Sequence, residues 1–312
     1  MFEVRHLRVL REVAAQGSFS AAAEALAYTQ PAVSQQIALL ERQAGVKLVD
    51  RTPRGVRLTD AGRSLVEHAE AVLARLSAAE AELEAIAEVR GGRVRLASFP
   101  TAGAALAPPA LALFQARHPE VELSLIEAEP QDSTRMLRAG ELEVAVVFDY
   151  SQPEPELERR YEGLDLRHLV DDPMYLALPR EHPAARRKRV RLQDFAEETW
   201  IQNDCSGPCG RLHLAACTAA GFEPQIAFQS DDYNVVQGLV AAGVGLSLLP
   251  ALSLTNVRED IAVRSLGRSA PYRKIYAATL AARYRSPATN AMLEVLDEAA
   301  ARFSLPAEAV AA

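Results

Sequence analysis

One stretch of this chain repeats with a period that a globular core does not use. From Leu65 the apolar residues fall at Leu65, Ala69, Val72, Leu76, Ala79, Leu83 and Ile86, in steps of 4, 3, 4, 3, 4 and 3. That is a heptad seam with an average period of 3.5. A seam this narrow suits a partner helix better than a domain core, whose helices bury a wider stripe. Thr59-Asp60 can cap its start and Gly91-Gly92 stop it. The spacing predicts a dimerising linker helix over residues 61–90, between a head at 1–60 and a larger body. The competing reading is one amphipathic helix lying on its own domain.

The charge pattern agrees with a division of labour. The 312 residues carry 34 basic and 41 acidic side chains, a net charge of −7, which taken alone argues against a polyanion partner. The charge is not evenly spread. Residues 1–60 hold eight basic against six acidic residues, and Lys47 to Arg63 holds five against two. Three cysteines do not make a disulfide-stapled secreted scaffold. The opening Met1-Phe2-Glu3-Val4-Arg5-His6 is no signal peptide. The apolar run Leu239–Leu254 is broken by Gly243, Gly245, Ser247 and Pro250. The expected location is therefore the cytoplasm, with no membrane contact.

The head reads as a winged helix-turn-helix. Leu7, Leu10, Val13 and Ala14 recur at helical spacing. Gly17 ends that helix, and Ser18 or Ser20 can cap a short Ala-rich second one. Thr29 is a good N-cap for a third helix, and Pro31 is tolerated in its first turn. Val33, Ile37 and Leu40 make its inner face. Gln30, Ser34 and Gln35 lie opposite, where amides and hydroxyls can pair with base edges. Val46 and Leu48, then Val56 and Leu58, alternate as two short strands. Pro53-Arg54-Gly55 supplies their turn, and Arg51, Arg54 and Arg57 suit phosphates or a narrow minor groove.

These stretches carry a family resemblance. Gly17-Ser-Phe-Ser-Ala-Ala-Ala-Glu-Ala-Leu26, Gln30-Pro-Ala-Val-Ser-Gln-Gln-Ile37, Leu40-Glu41, Arg51-Thr52 and Leu58-Thr-Asp-Ala-Gly62 resemble the N-terminal domain of LysR-type transcriptional regulators. The resemblance implies double-stranded DNA as partner, at an interrupted, partly palindromic promoter site. DNA contacts would fall on Ser18, Ser20, Thr29, Gln30, Pro31, Ser34, Gln35, Arg51 and Arg54. It also implies a homodimer, assembly to a homotetramer, and RNA polymerase as a further partner.

Beyond Gly92, strand and helix patterns alternate, which predicts a parallel sheet covered by helices. The Pro- and Glu-rich stretch Gln152–Glu158 interrupts the series. The expected architecture is α/β multidomain: a winged helix-turn-helix, a coiled-coil linker helix, and a two-lobed effector domain. Subdomain I would hold 91–162 and 272–312, and subdomain II 163–271. Phe114…His118-Pro119, Gly140-Glu-Leu-Glu143, Ala220-Gly221-Phe222 and Val240–Pro250 resemble the effector-binding half of the same family, with its periplasmic-binding-protein-like fold. Ligands in such sheets sit beyond the strand ends, at helix N-termini. That places candidates at Ser98, Thr101, Pro130, Gln131, Phe148, Asp149, Gln202, Asn203 and Asp204. Hydroxyls and amides there suit a small anion. No cofactor is called for beyond such an effector.

Cys205, Cys209 and Cys217 are the remaining reactive candidates. The hydrogen-peroxide sensor of the family carries its redox cysteines in this region, at similar spacing. Arg211 and His213 nearby could favour a thiolate. A Cys209–Cys217 disulfide, a metal site, and cysteines without a role all stay open. The six histidines are scattered with no metal spacing, and no phosphate loop or nucleophile elbow is present. An enzyme is therefore not expected. A transporter's solute-binding protein would share the two lobes but lack the head.

Overall fold

The structure is a computed structural model that describes residues 2–52, 55–86, 92–150, 157, 159–203, 208–281 and 285–303. Arg54, Asp204 and Cys205 lie outside the described residues, as do the side chains of Arg51 and Ile86.

The head packs three helices, α1 (Val4–Gln16), α2 (Phe19–Ala25) and α3 (Gln30–Ala44), around one apolar cluster. Leu7, Leu10, Val13, Phe19, Val33, Ile37 and Leu40 form it. Fully burying such a side chain is worth roughly 1.5–3 kcal/mol. Ser18 caps α2 by accepting from the amide of Ala21, and Thr29 caps α3 by accepting from Ala32.

A hairpin of β1 (Val49–Thr52) and β2 (Gly55–Leu58) forms the wing. The first strand begins later than the alternation Val46, Leu48 predicts. Glu41 explains the shift: its carboxylate accepts from the amides of Leu48 (2.9 Å) and Val49 (3.3 Å). That clamp holds Leu48 in the core and leaves Val46 exposed. Helix α4 (Asp60–Ile86) then starts hard against the wing. A Cβ at Gly62 would sit 2.0 Å from the carbonyl oxygen of Leu48, so only glycine fits this approach.

In the body, β3 (Arg93–Ser98), β4 (Glu122–Glu127) and β5 (Val144–Tyr150) are parallel. Helices α5 (Pro100–Ala105), α6 (Ala107–Arg117) and α7 (Pro130–Arg138) connect them. The expectation of a wholly parallel sheet is corrected by β6 (Leu164–Pro179) and β11 (Tyr272–Leu280), which are antiparallel additions. The 16-residue β6 serves both lobes. Its first part pairs with β11, and its second with β9 (Ser247–Pro250) and β10 (Ile261–Ser265). A strand exposed on one face and shared between lobes shows no single apolar run.

The remaining elements are β7 (Thr199–Gln202), α8 (Pro208–Ala219), β8 (Gln225–Gln229), α9 (Tyr233–Ala241) and the closing α10 (Pro287–Arg302). The first lobe buries Leu96, Phe99, Phe114, Met292 and Leu296 under α5, α6 and α10. The second buries Trp200, Phe195, Leu176 and Leu248.

Candidate functional sites: reading face, linker seam and interlobe centre

Helix α3 presents two unlike faces. Val33, Ile37 and Leu40 are at most 2% exposed, which fixes the helix rotation. Gln30, Pro31 and Gln35 are exposed on the other side, with Ser34 half-buried beside them. Ser18 and Thr29 each spend one acceptor site of the hydroxyl oxygen on a cap, which leaves the O–H donor and one lone pair for an outside partner. Ser20 is exposed on α2. Arg51 stands in β1 opposite Val56, and exposed Arg57 lies opposite Asp50. Lys47 is not free: its ammonium donates to Glu41 at 2.9 Å. With that lysine and two backbone amides around it, the Glu41 carboxyl falls below its ordinary range although burial, the largest influence, opposes this.

The heptad seam divides. Leu65 and Ala69 pack into the head core. Val72, Leu76, Ala79 and Leu83 are exposed in line, Leu83 at 66%. Leu73 and Ala74, off the seam, are buried. Near them α1 meets the body, where Arg11 pairs with Glu141 at 3.0 Å, just past α7. Glu70 of α4 is pushed upward by burial, against the pull of Arg11, Arg135 and Arg138. At its other end α7 follows Glu129, also raised by burial and pulled down by Arg273. One short helix therefore runs from the interlobe centre to the head.

That centre is built around Arg273 of β11, which is 1% exposed. Its guanidinium donates to Asp172 of β6 at 2.5 and 2.9 Å and to the Thr101 hydroxyl at 2.9 Å. It lies over the rings of Phe99 (5.1 Å) and Phe148 (4.8 Å). Its remaining nitrogen points to the Cys209 sulfur at 3.7 Å. Burial works against the charge of Arg273, but Asp172, Cys209, Tyr233 and Tyr150 outweigh it and hold the group cationic. Thr101, Phe99 and Phe148 belong to the first lobe. Cys209 opens α8, a helix of the second lobe whose Ala216 packs in that lobe's core while Cys209 itself packs against the first lobe's.

The structure gathers some sequence candidates here and separates others. Thr101 and Phe148 meet at Arg273, and Ser98 is buried one residue before Phe99. Asp149 points to the opposite face of β5 from Phe148, as strand alternation requires, and binds Arg160 at 3.0 Å. Gln202 is buried in β7. Asn203 donates to the carbonyl of Ser230 (3.2 Å) and accepts from the Tyr233 hydroxyl (3.3 Å). Pro130 is buried and Gln131 exposed at the start of α7. Sequence reasoning missed Arg273 and Asp172, whose pairing across 101 residues depends on strand register. It also passed over Arg186-Arg-Lys-Arg189 and Arg191, the densest basic run in the chain.

Cys209 and Cys217 lie eight residues apart on one helix, a rise of about 12 Å. A disulfide needs Cα atoms within about 7 Å. A Cys209–Cys217 bridge, one of the alternatives left open by the sequence, therefore requires α8 to unwind. Cys217 is fully buried, and burial pushes its thiol up to about 12. Among the described residues no group of three or more His, Cys, Asp or Glu could hold a metal, and no helix is long and apolar enough to cross a membrane.

Comparison with known proteins places these surfaces in context. Residues 4–63 match the family described as bacterial regulatory helix-turn-helix protein, lysR family. Residues 87–301 match the LysR substrate binding domain. A hydrogen peroxide-inducible genes activator of Pectobacterium carotovorum subsp. carotovorum is 32% identical over 257 residues, covering 82% of each chain. A full-length OxyR variant from Pseudomonas aeruginosa superposes with a TM-score of 0.70 at 22% identity, covering 98% of this chain and 96% of that one. Full-length CbnR complexed with its target DNA superposes with a TM-score of 0.60 at 24% identity, covering 96% and 100%.

Proposed function

The chain belongs to the LysR family of DNA-binding transcriptional regulators, and from that premise we propose that its output is set at the interlobe centre around Arg273. The observation that carries this is the reach of one guanidinium to Thr101 of one lobe and Cys209 of the other. A small effector with an anionic group would compete with Asp172 and Cys209 for Arg273, and the lobe angle would follow. The switch requires the effector to favour one arrangement by a differential free energy.

The DNA contacts of this reading are Gln30, Pro31, Ser34 and Gln35 on base edges. Ser18, Ser20, Thr29, Arg51 and Arg54 hold the backbone. The protein acts as a homodimer through Val72, Leu76, Ala79 and Leu83, assembles to a tetramer, and acts on RNA polymerase at a promoter. A gel shift with the upstream promoter region tests the core of it. Binding that weakens steeply with salt is expected. No binding to any promoter-proximal fragment would overturn it.

A second reading is favoured by the 3.7 Å contact between Arg273 and the Cys209 sulfur. A guanidinium beside a sulfur favours the negative charge it carries when it reacts. In this reading the Cys209 sulfur attacks a peroxide oxygen. The O–O bond breaks, the sulfur is oxidised to a sulfenic acid, and the other oxygen leaves as water. The relative named a hydrogen peroxide-inducible genes activator supports the same direction. Intact-mass measurement after peroxide should show one added oxygen, mapped to Cys209. An unmodified Cys209 sinks this reading and leaves the effector reading standing.

A further inference from the structure

We propose that subdomain II carries a second, sequence-independent DNA-backbone surface at Arg186, Lys188 and Arg189, separate from the reading head. Five of six consecutive residues from Arg186 to Arg191 are cationic, in a chain of net charge −7. All five are exposed.

The segment is anchored. Ala184, Ala185, Val190 and Leu192 are buried in the second lobe's core. Arg189 bridges to Ser265 of β10, whose carbonyl accepts from the amide of Val190 at 3.3 Å. Five charges therefore project from a fixed backbone. Asp194 answers two of them, Arg187 at 3.6 Å and Arg191 at 3.0 Å. Arg186, Lys188 and Arg189 have no ion-pair partner among the described residues.

Two observations favour phosphodiester over an acidic protein surface. No large apolar side chain is exposed anywhere from residue 159 to 203. Protein interfaces centre on buried aromatic or aliphatic anchors, and this patch offers none. Four of the five cations are arginine, whose planar fork matches phosphate oxygens in two places. A head already bound to its site also raises the local concentration of flanking phosphate, so a weak surface contributes. The inference rests on the regulator reading.

The test uses the full chain with Arg186→Gln, Lys188→Gln and Arg189→Gln together, leaving the two arginines on Asp194 intact. Affinity is measured against salt on two probes: a short duplex ending at the head's site, and one extended on both flanks. The slope of log K against log salt is expected to flatten on the extended probe by about 2 to 3 for each protomer whose patch reaches a flank, near 0.9 per phosphate lost. On the short duplex it should not change. Equal slopes for variant and wild type on the extended probe overturn the surface. So does an equal loss on both probes, which belongs to a damaged head. DNA binding unchanged but transcription lost would assign the patch to an acidic protein instead. Wild-type protein that binds neither probe would bring down the regulator reading itself.

Discussion

Arg273 and Asp172 close on each other at 2.5 Å, on adjacent strands, at the level where β6 passes from one lobe into the other. Neither side chain is more than 1% exposed. The carboxylate is fully used: its second oxygen accepts from the amide of Leu252 at 2.9 Å. A satisfied buried pair adds little net stability, but breaking it strands a charge. Asp172→Asn is expected to cost about 3–5 kcal/mol. Asp172→Leu with Arg273→Met should recover most of that loss. Urea unfolding of both variants checks it, and a loss under about 1 kcal/mol for the single change would contradict it.

His213 makes stability depend on pH. It is 5% exposed, packs edge-on against Trp200 at 5.0 Å, and burial lowers its pKa from 6.5 to about 4. The unfolded chain therefore takes the proton first as pH falls. Stability from the neutral ring is complete above pH 6.5 and drains away toward pH 4, by about 3 kcal/mol in all. His213→Phe should flatten that part of the profile. An unchanged urea midpoint between pH 6.5 and 4 in wild type would contradict the assignment.

Much of this was legible in the sequence because it was local. Caps at Ser18 and Thr29, the 3.6 period of α3 and the Gly17 stop are written within a few residues each. What failed was non-local. Nothing near Asp172 announces Arg273, and nothing near Val46 announces that Glu41 will clamp the amides of Leu48 and Val49. Asp149 shows the limit within one strand. Its neighbour Phe148 reaches the centre, so alternation alone turns Asp149 away. The basic run at 186–191 is hidden for another reason: a net charge of −7 sums side chains without placing them on a surface.

The contact between head and body predicts a coupled pair. Arg11 is 20% and Glu141 41% exposed, so their interaction is expected to be modest. Arg11→Glu should loosen the head from α7. Adding Glu141→Arg should restore the contact, with a coupling near 0.5–1 kcal/mol. Amide exchange in α7 reports it, and additive effects of the two changes would dismiss the contact.

The exposed half of the linker seam predicts an assembly defect with no folding defect. Leu76 and Leu83 are 37% and 66% exposed in one chain. Leu76→Lys with Leu83→Lys should leave the melting temperature of the head unchanged and give monomers in sedimentation. Affinity for a dyad site should drop toward that of a half-site. A dimer that persists would move the interface elsewhere.

The reading face predicts a split between specificity and affinity. Gln35 projects from the exposed face of α3, where an amide can pair with an adenine edge in two places. Gln35→Ala should cost about 1–3 kcal/mol on the correct site and much less on random DNA. Arg51 lies in β1 opposite Val56, and in the proposed reading it holds backbone phosphate. Arg51→Ala should weaken both DNAs alike and reduce the salt slope by about 1. The two substitutions act through different atoms of the DNA, so their ratios of specific to random affinity must differ. If both variants lower the two affinities in the same proportion, base reading does not reside on α3.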